Sequence, residues 1–226
     1  VQRRAPPTVP QSEAARCAGG VRAWGLSIFR RFPPTSENSR LLEAMASHAA
    51  ADAVRRTPMM RACSADGDAT PERQSATTVR RLLLNHVFIA HRLRSQMRQA
   101  HLSVCGEGRL VSEGVFAKIA ERIDAIAVLL MQRAVLCGAA PAQDRGVKGA
   151  APALSAYPLG VADEHAHAFA ASCALAVVAQ AARDDAGAAR ALGDPANESL
   201  FNEIARRVEA EIWVVQQSLD PPVDTA

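Results

Sequence analysis

No acidic residue stands between Glu72 and Glu107, while Arg73, Arg80, Arg81, Arg92, Arg94 and Arg98 all fall in that stretch. The first 31 residues are nearly as one-sided, with Arg3, Arg4, Arg16, Arg22, Arg30 and Arg31 against Glu13 alone. A net charge of only +3 therefore hides a basic excess confined to the amino-terminal half. Nucleic acid, an anionic membrane surface or an acidic protein could each read such a surface. Aromatic residues are scarce: one Tyr, two Trp and six Phe in 226 residues. Long β-branched runs are absent too, which disfavours sheets and favours packed helices. The five cysteines (Cys17, Cys63, Cys105, Cys137, Cys173) form no CxxC or CxxH pair. Neither a structural zinc site nor a disulfide framework is signalled, and reduced, partly buried thiols are expected. No run of 18 uninterrupted apolar residues occurs, so no membrane span is expected. Nucleophile elbow, P-loop and dinucleotide fingerprint are all missing.

What is present is ample apolar material, 49% of the chain, much of it Ala, Leu and Val. The length suits one ordinary domain plus an extension, or two small domains. Residues 1–76 are punctuated by Pro6, Pro7, Pro10, Pro33, Pro34, Pro58 and Pro71, and hold too few large apolar residues for a core of their own. Two islands interrupt them. Val21–Phe32 mixes Trp24, Leu26, Ile28, Phe29 and Phe32 with arginines, and the Ala-rich run Ser39–Arg56 suits a short helix closed by Pro58. An Arg-rich, acid-poor leader of this kind reads either as organelle-targeting material or as a disordered basic tail. A start at Val1 without methionine fits a processed precursor. The expected contacts of this segment with a partner are Arg16, Arg22, Trp24, Arg30 and Arg31.

From Thr77 the pattern becomes helical. Leu83, Leu84, Val87, Phe88, Leu93 and Met97 recur at spacings of three to five, and Val115, Phe116, Ile119, Ile123, Ile126, Leu129, Leu130 and Leu136 mark a second helix that ends at Gly138. A Gly- and Pro-rich crossover follows. A third helix ends at Gly193, and Asp194 with Pro195 starts a fourth as N-cap and first residue. The expectation is all-α: helices near 77–105, 110–138, 162–191 and 195–219, then a tail over 220–226. Two tight connections and one long middle crossover describe a ferritin-like four-helix topology, preceded by an extended basic segment. The arginines expected on the exposed edge of the first helix, Arg80, Arg81, Arg92 and Arg94, extend the basic surface.

Within this frame the stretch Arg81–Gly106 resembles the end of the first helix of the Dps mini-ferritins. Arg98, His101, Val104 and Gly106 match the family's Arg-Asn-Tyr-His-Trp-x-Val-x-Gly, with Leu102 in place of the tryptophan. The run Gln132–Gly138, followed by Pro141, is similar to the family's Glu-Arg-x-x-x-x-Gly-Gly-x-Pro. Gly193–Leu219 is similar to its last helix, with Glu209 and Trp213 in family positions. The resemblance spans residues 77–219.

The resemblance implies a ferroxidase centre shared across a two-fold dimer. One subunit gives a His from the end of the first helix plus a His and an Asp from early in the second; the other gives an Asp and a Glu from later in the second. Carried over position by position, His101 keeps the first ligand, Glu113 holds the second, and Ala117, Val128 and Gln132 occupy the other three. Iron prefers several hard oxygen donors and imidazoles that offset its charge. One imidazole and one carboxylate opposite an apolar Val128 leave no bridging ligand, and shifting the second helix by one turn to use Asp124 only moves Val128 onto the Glu position. Ferroxidase activity and a bound cofactor are therefore not expected, with weak residual iron at His101 and Glu113 at most. Those two side chains are expected within reach of one another, fixing the junction between the first two helices. Glu164-His165-Ala166-His167 offers one ExxH pair without the second that an intrasubunit di-iron site needs, and is read as solvated. His86 and His91, five apart, do not share a helix face.

These readings point to a non-catalytic, Dps-like scaffold, an accessory subunit of a large assembly such as the mitochondrial ribosome or a respiratory complex, on the matrix side. Its partners would be other subunits, and RNA through the basic amino-terminal half. The alternative is a divergent Dps-type homo-oligomer for iron storage or DNA protection. A small metal-dependent enzyme using His101 with Glu164 or His167 has least support.

Overall fold

A computed structural model describes residues 71–104, 110–139, 154, 157 and 164–219. They form four helices with no strand among them: α1 (Pro71–Val104), α2 (Leu110–Leu136), α3 (Glu164–Ala191) and α4 (Pro195–Gln217). The four expected helices are all there, and three of them start or end within two residues of the expected bounds. α1 is the exception, beginning six residues early. Its opening PERQSATT carries no large apolar residue, so hydrophobic periodicity is blind to it. The Thr77 and Thr78 hydroxyls donate back to the Arg73 and Gln74 carbonyls at 2.8 and 2.9 Å, which lets polar residues sit inside a helix.

The helix ends follow from local chemistry. Gly138 (φ +86°) and Gly193 (φ +71°) take the left-handed conformation that closes α2 and α3. At α2 the Ala139 amide donates to the Ala134 carbonyl, and at α3 the Asp194 amide donates to the Ala189 carbonyl, the six-to-one bond of a Schellman end. Asp194 then caps α4, its carboxylate accepting from the Asn197 amide at 3.0 Å with Pro195 in the first turn.

Cross-helix contacts fix the topology. Arg80 meets Gly138 and Arg94 meets Asp124, so α1 and α2 are antiparallel. Arg183 meets Glu209 and Arg190 meets Glu198, so α3 and α4 are antiparallel as well. Arg122 with Glu211 and Arg133 with Asn197 make α2 antiparallel to α4. It follows that α2 runs parallel to α3, and the connection between them must travel the length of the bundle, roughly 40 Å for a helix of this size. Packing is closest within each hairpin, α1 with α2 and α3 with α4, while α1–α3 and α2–α4 close the ring.

The core is built differently in the two hairpins. Leu83, Leu93, Met97, Phe116, Ile119, Ile123 and Leu130 fill the α1–α2 side. On α3 ten of the sixteen buried residues are alanine, so its backbone lies close to its neighbours. Every residue from Ala166 to Leu175 is buried, which four helices alone cannot achieve. The crossover residues Leu154 and Tyr157 belong to the same core cluster. By length and composition α3 is apolar enough to cross a membrane. Most of it is buried inside the bundle, as a core helix is.

Candidate functional site

Two places could carry function: the positions where the resemblance sets metal ligands, and the polar groups buried between the hairpins. His101 lies half-buried in the last turn of α1, and the other positions sit on α2. Ala117 is half-buried, Val128 is 53% exposed and Gln132 is exposed. The antiparallel register set by Arg94–Asp124 puts Ala117 level with His101, and Val128 and Gln132 further along the outward side of α2. The Glu113 side chain lies outside the described residues, as does its expected approach to His101. Among the described residues no three His, Cys, Asp or Glu side chains converge as a metal site.

The buried polar groups form structural ties. His86, 1% exposed, places Nε2 2.8 Å from Asp185 Oδ2, a close contact that does not form a hydrogen bond. Its ring tilts over Phe201 of α4 at 5.1 Å. One histidine of α1 thus touches both helices of the other hairpin. It also borders a small cavity otherwise lined by aliphatic residues from all four helices, including Leu93, Ile126, Val178 and Ile204. A single imidazole there gives a water too few polar partners, so the cavity is apolar in character. His91, five residues on, is exposed, as its spacing from His86 requires.

At the opposite end the expectation for the ExxH pair needs correcting. His167 is buried rather than solvated, because Tyr157 of the crossover packs on it. The phenol oxygen and Nδ1 are 2.6 Å apart and the rings stack at 5.9 Å. Burial holds the Tyr157 hydroxyl well above the ordinary phenol range, so it stays protonated as hydrogen-bond donor. Glu164 is half-buried. Sequence reasoning had no means to find this pair, since nothing local marks Tyr157 as the residue that closes over α3. Of the cysteines described, Cys137 is half-buried and Cys173 buried; burial pushes the Cys173 thiol up to about 12, which leaves it inert.

The arginines of α1 are less exposed than their polarity implies. Arg80, Arg81, Arg92 and Arg94 are all half-buried. Arg80 donates to the Gly138 carbonyl at 3.2 Å, Arg92 to the Leu154 carbonyl at 2.9 Å, and Arg94 pairs with Asp124 at 2.5 Å. Their stems pack along the bundle and their head groups stay near its surface. Arg73 and Arg98 are exposed. Arg16, Arg22, Trp24, Arg30 and Arg31 lie outside the described residues.

Large apolar side chains exposed among the described residues concentrate on the same hairpin. Phe88 and Leu102 of α1 and Val128, Val135 and Leu136 of α2 account for five of six; Trp213 of α4 is the sixth. Compared with known proteins, the chain matches no family model, no curated protein and no solved structure.

Proposed function

We propose that this chain is a non-catalytic, ferritin-like scaffold, an accessory subunit of a larger assembly in the mitochondrial matrix, such as the ribosome or a respiratory complex. The observation that carries this reading is the outward side of α2. Where the Dps resemblance calls for carboxylates, the bundle presents an exposed Val128 and a neutral Gln132, on the hairpin that also exposes most of the large apolar side chains. Such a surface suits contact with another macromolecule better than it suits a hard cation. The parallel run of α2 and α3 with a long crossover supports the ferritin-like class. The Arg-rich leader supports the compartment. In this reading Arg16, Arg22, Trp24, Arg30 and Arg31 lie on a partner subunit or its RNA.

A half-buried His101 at the end of α1 favours a second reading, a divergent Dps-type oligomer that stores iron or covers DNA. Ferrous iron oxidation followed optically, with particle size by light scattering, separates the two. The scaffold neither mineralises iron nor forms a large closed shell. Stoichiometric iron bound at His101, or a mineral-filled particle of many subunits, returns the oligomer to first place. Truncation of residues 1–76 supplies a second arm: the scaffold loses incorporation into its native particle, and unchanged incorporation defeats the partner role of that segment.

A further inference from the structure

We propose that the outward face of α1–α2 is a docking site for an acidic amphipathic helix of a partner protein. The inference rests on the scaffold reading and says which surface meets the partner and what chemistry fits it.

Shape comes first. Val128 (53% exposed) and Val135 (44% exposed) stand seven residues apart, two turns along one side of α2. The register fixed by Arg94–Asp124 and Arg80–Gly138 sets Leu84 within a residue of level with Val135, and His91 within a residue of level with Val128. Leu84 and Met131 are half-buried and packed on the core beneath. The result is a narrow apolar stripe along the seam of two antiparallel helices. Side chains at helical spacing on a partner helix can seat on such a stripe.

Charge comes second. Of the nine cations on α1 and α2, Arg94 pairs with Asp124 and Arg122 with Glu211 of α4, while Arg133 turns to Asn197 of α4 and Arg92 to Leu154 of the crossover. The charge beside the seam comes from Arg80, Arg98 and Lys118, set against Glu121. The hydrogen bond from Arg80 ends on the neutral Gly138 carbonyl, which satisfies the donor and leaves the charge in place. Arg98 and Lys118 are exposed near one end of the stripe. A partner that complements this face carries carboxylates beside its apolar row.

The combination decides among anions. A phosphate backbone needs cations and makes no use of exposed valines. A membrane surface needs a broad apolar face dipping into the lipid, whereas this stripe is one side chain wide on α2 and is bordered by the polar Gln132.

The probe is a labelled peptide of about five helical turns, leucine at helical spacing on one face and glutamate elsewhere. Anisotropy titration of the full chain compares it with an isomer of the same composition in scrambled order, a single-stranded RNA and phosphatidylserine vesicles. Expected is binding of the amphipathic peptide at least about tenfold tighter than the isomer, reduced about tenfold both by Val128→Asn with Val135→Asn and by Arg98→Glu with Lys118→Glu. All four sites are exposed, and circular dichroism verifies that the variants fold. Equal binding of the isomer, tighter binding of RNA or vesicles, or a homodimer that dissociates on the valine changes would each overturn the proposal. The scaffold reading falls separately: a chain that oxidises no iron yet ignores the peptide loses only this docking site, and a chain that mineralises iron loses the scaffold whatever the peptide does.

Discussion

The two hairpins of this bundle solve the problem of charge in opposite ways. α3 and α4 carry four arginines, Arg183, Arg190, Arg206 and Arg207, and each meets a carboxylate of its own hairpin: Glu209, Glu198 and, for the last two, Glu203. On α1–α2 Arg94 pairs with Asp124, whereas Arg80 and Arg92 end on carbonyls and Arg122 reaches across to Glu211 of α4. The apolar accounts differ too. α3 hides its alanines on nearly every side, while α1–α2 leaves five large apolar side chains in water. A hairpin that pairs all its arginines and covers most of its apolar surface offers little to a partner; one that leaves cations and apolar side chains exposed is shaped for one. The lesson is that function in such a bundle is sought on the unsatisfied pair of helices rather than in the core.

The strongest way to break this comparison is to cut the tie that makes the hairpins one domain. Phe201 is fully buried on α4 and packs on His86 of α1. Phe201→Ala should lower unfolding stability by roughly 3–5 kcal/mol, the range for an emptied aromatic core site. Trp213→Ala, on an exposed position of the same helix, should change it by no more than about 0.5 kcal/mol. Urea denaturation measures both. Equal effects would mean that α4 does not sit against α1 as described.

Next in size is the tie across the crossover. Tyr157→Phe keeps the ring and removes the hydroxyl, leaving the buried His167 nitrogen without its partner. The expected loss is about 1–3 kcal/mol, the desolvation penalty of one unsatisfied polar group. A change below the error of the denaturation curve would show that the crossover adds nothing to α3.

How much of this was legible in the residues themselves divides along the same line. Helix existence, the glycine ends at Gly138 and Gly193 and the Asp194 cap follow from local rules, because each depends on neighbours within one turn. The early start of α1 was hidden, since PERQSATT is helical through backbone and threonine bonding and shows no apolar stripe. Of the site, the unlike faces of His86 and His91 followed from their spacing. His86–Asp185, Arg122–Glu211 and Tyr157–His167 did not, because each joins residues brought together only by packing. Arg80 and Arg92 looked like exposed charge because sequence shows a side chain's polarity but not the carbonyl it will find.

Salt sharpens the comparison of charges. Raising ionic strength from ~0.05 to ~0.5 M shortens the screening length to a few ångströms. On α1 this relieves repulsion among six arginines, so amide exchange there should slow. On α3–α4 it weakens attractive pairs that lie largely at the surface, so exchange there should hold steady or quicken. Each change should stay below about 1 kcal/mol of local opening energy. The same response in both hairpins would mean that their charge arrangements are equivalent after all.

The smallest expected effect concerns acid. Glu203 lies between Arg207 and Arg206, accepting from the first at 2.8 Å and approached by the second at 2.6 Å. The hydrogen bond from Arg207 and the charge of Arg206 hold its carboxyl below the ordinary carboxylate range. A carboxylate depressed in the folded chain contributes stability that is present above its unfolded value. That contribution is lost as pH falls through the folded one. Comparing the native chain with Glu203→Gln by thermal melting, any advantage of the native residue should therefore be present at neutral pH and disappear in acid. The pair is solvent-exposed, so the advantage is small at best and shrinks further with salt. An advantage that survives unchanged into strong acid would show that Glu203 acts through packing and not through its charge. In that case Glu203 would no longer belong to the charge pairing that sets α3–α4 apart from α1.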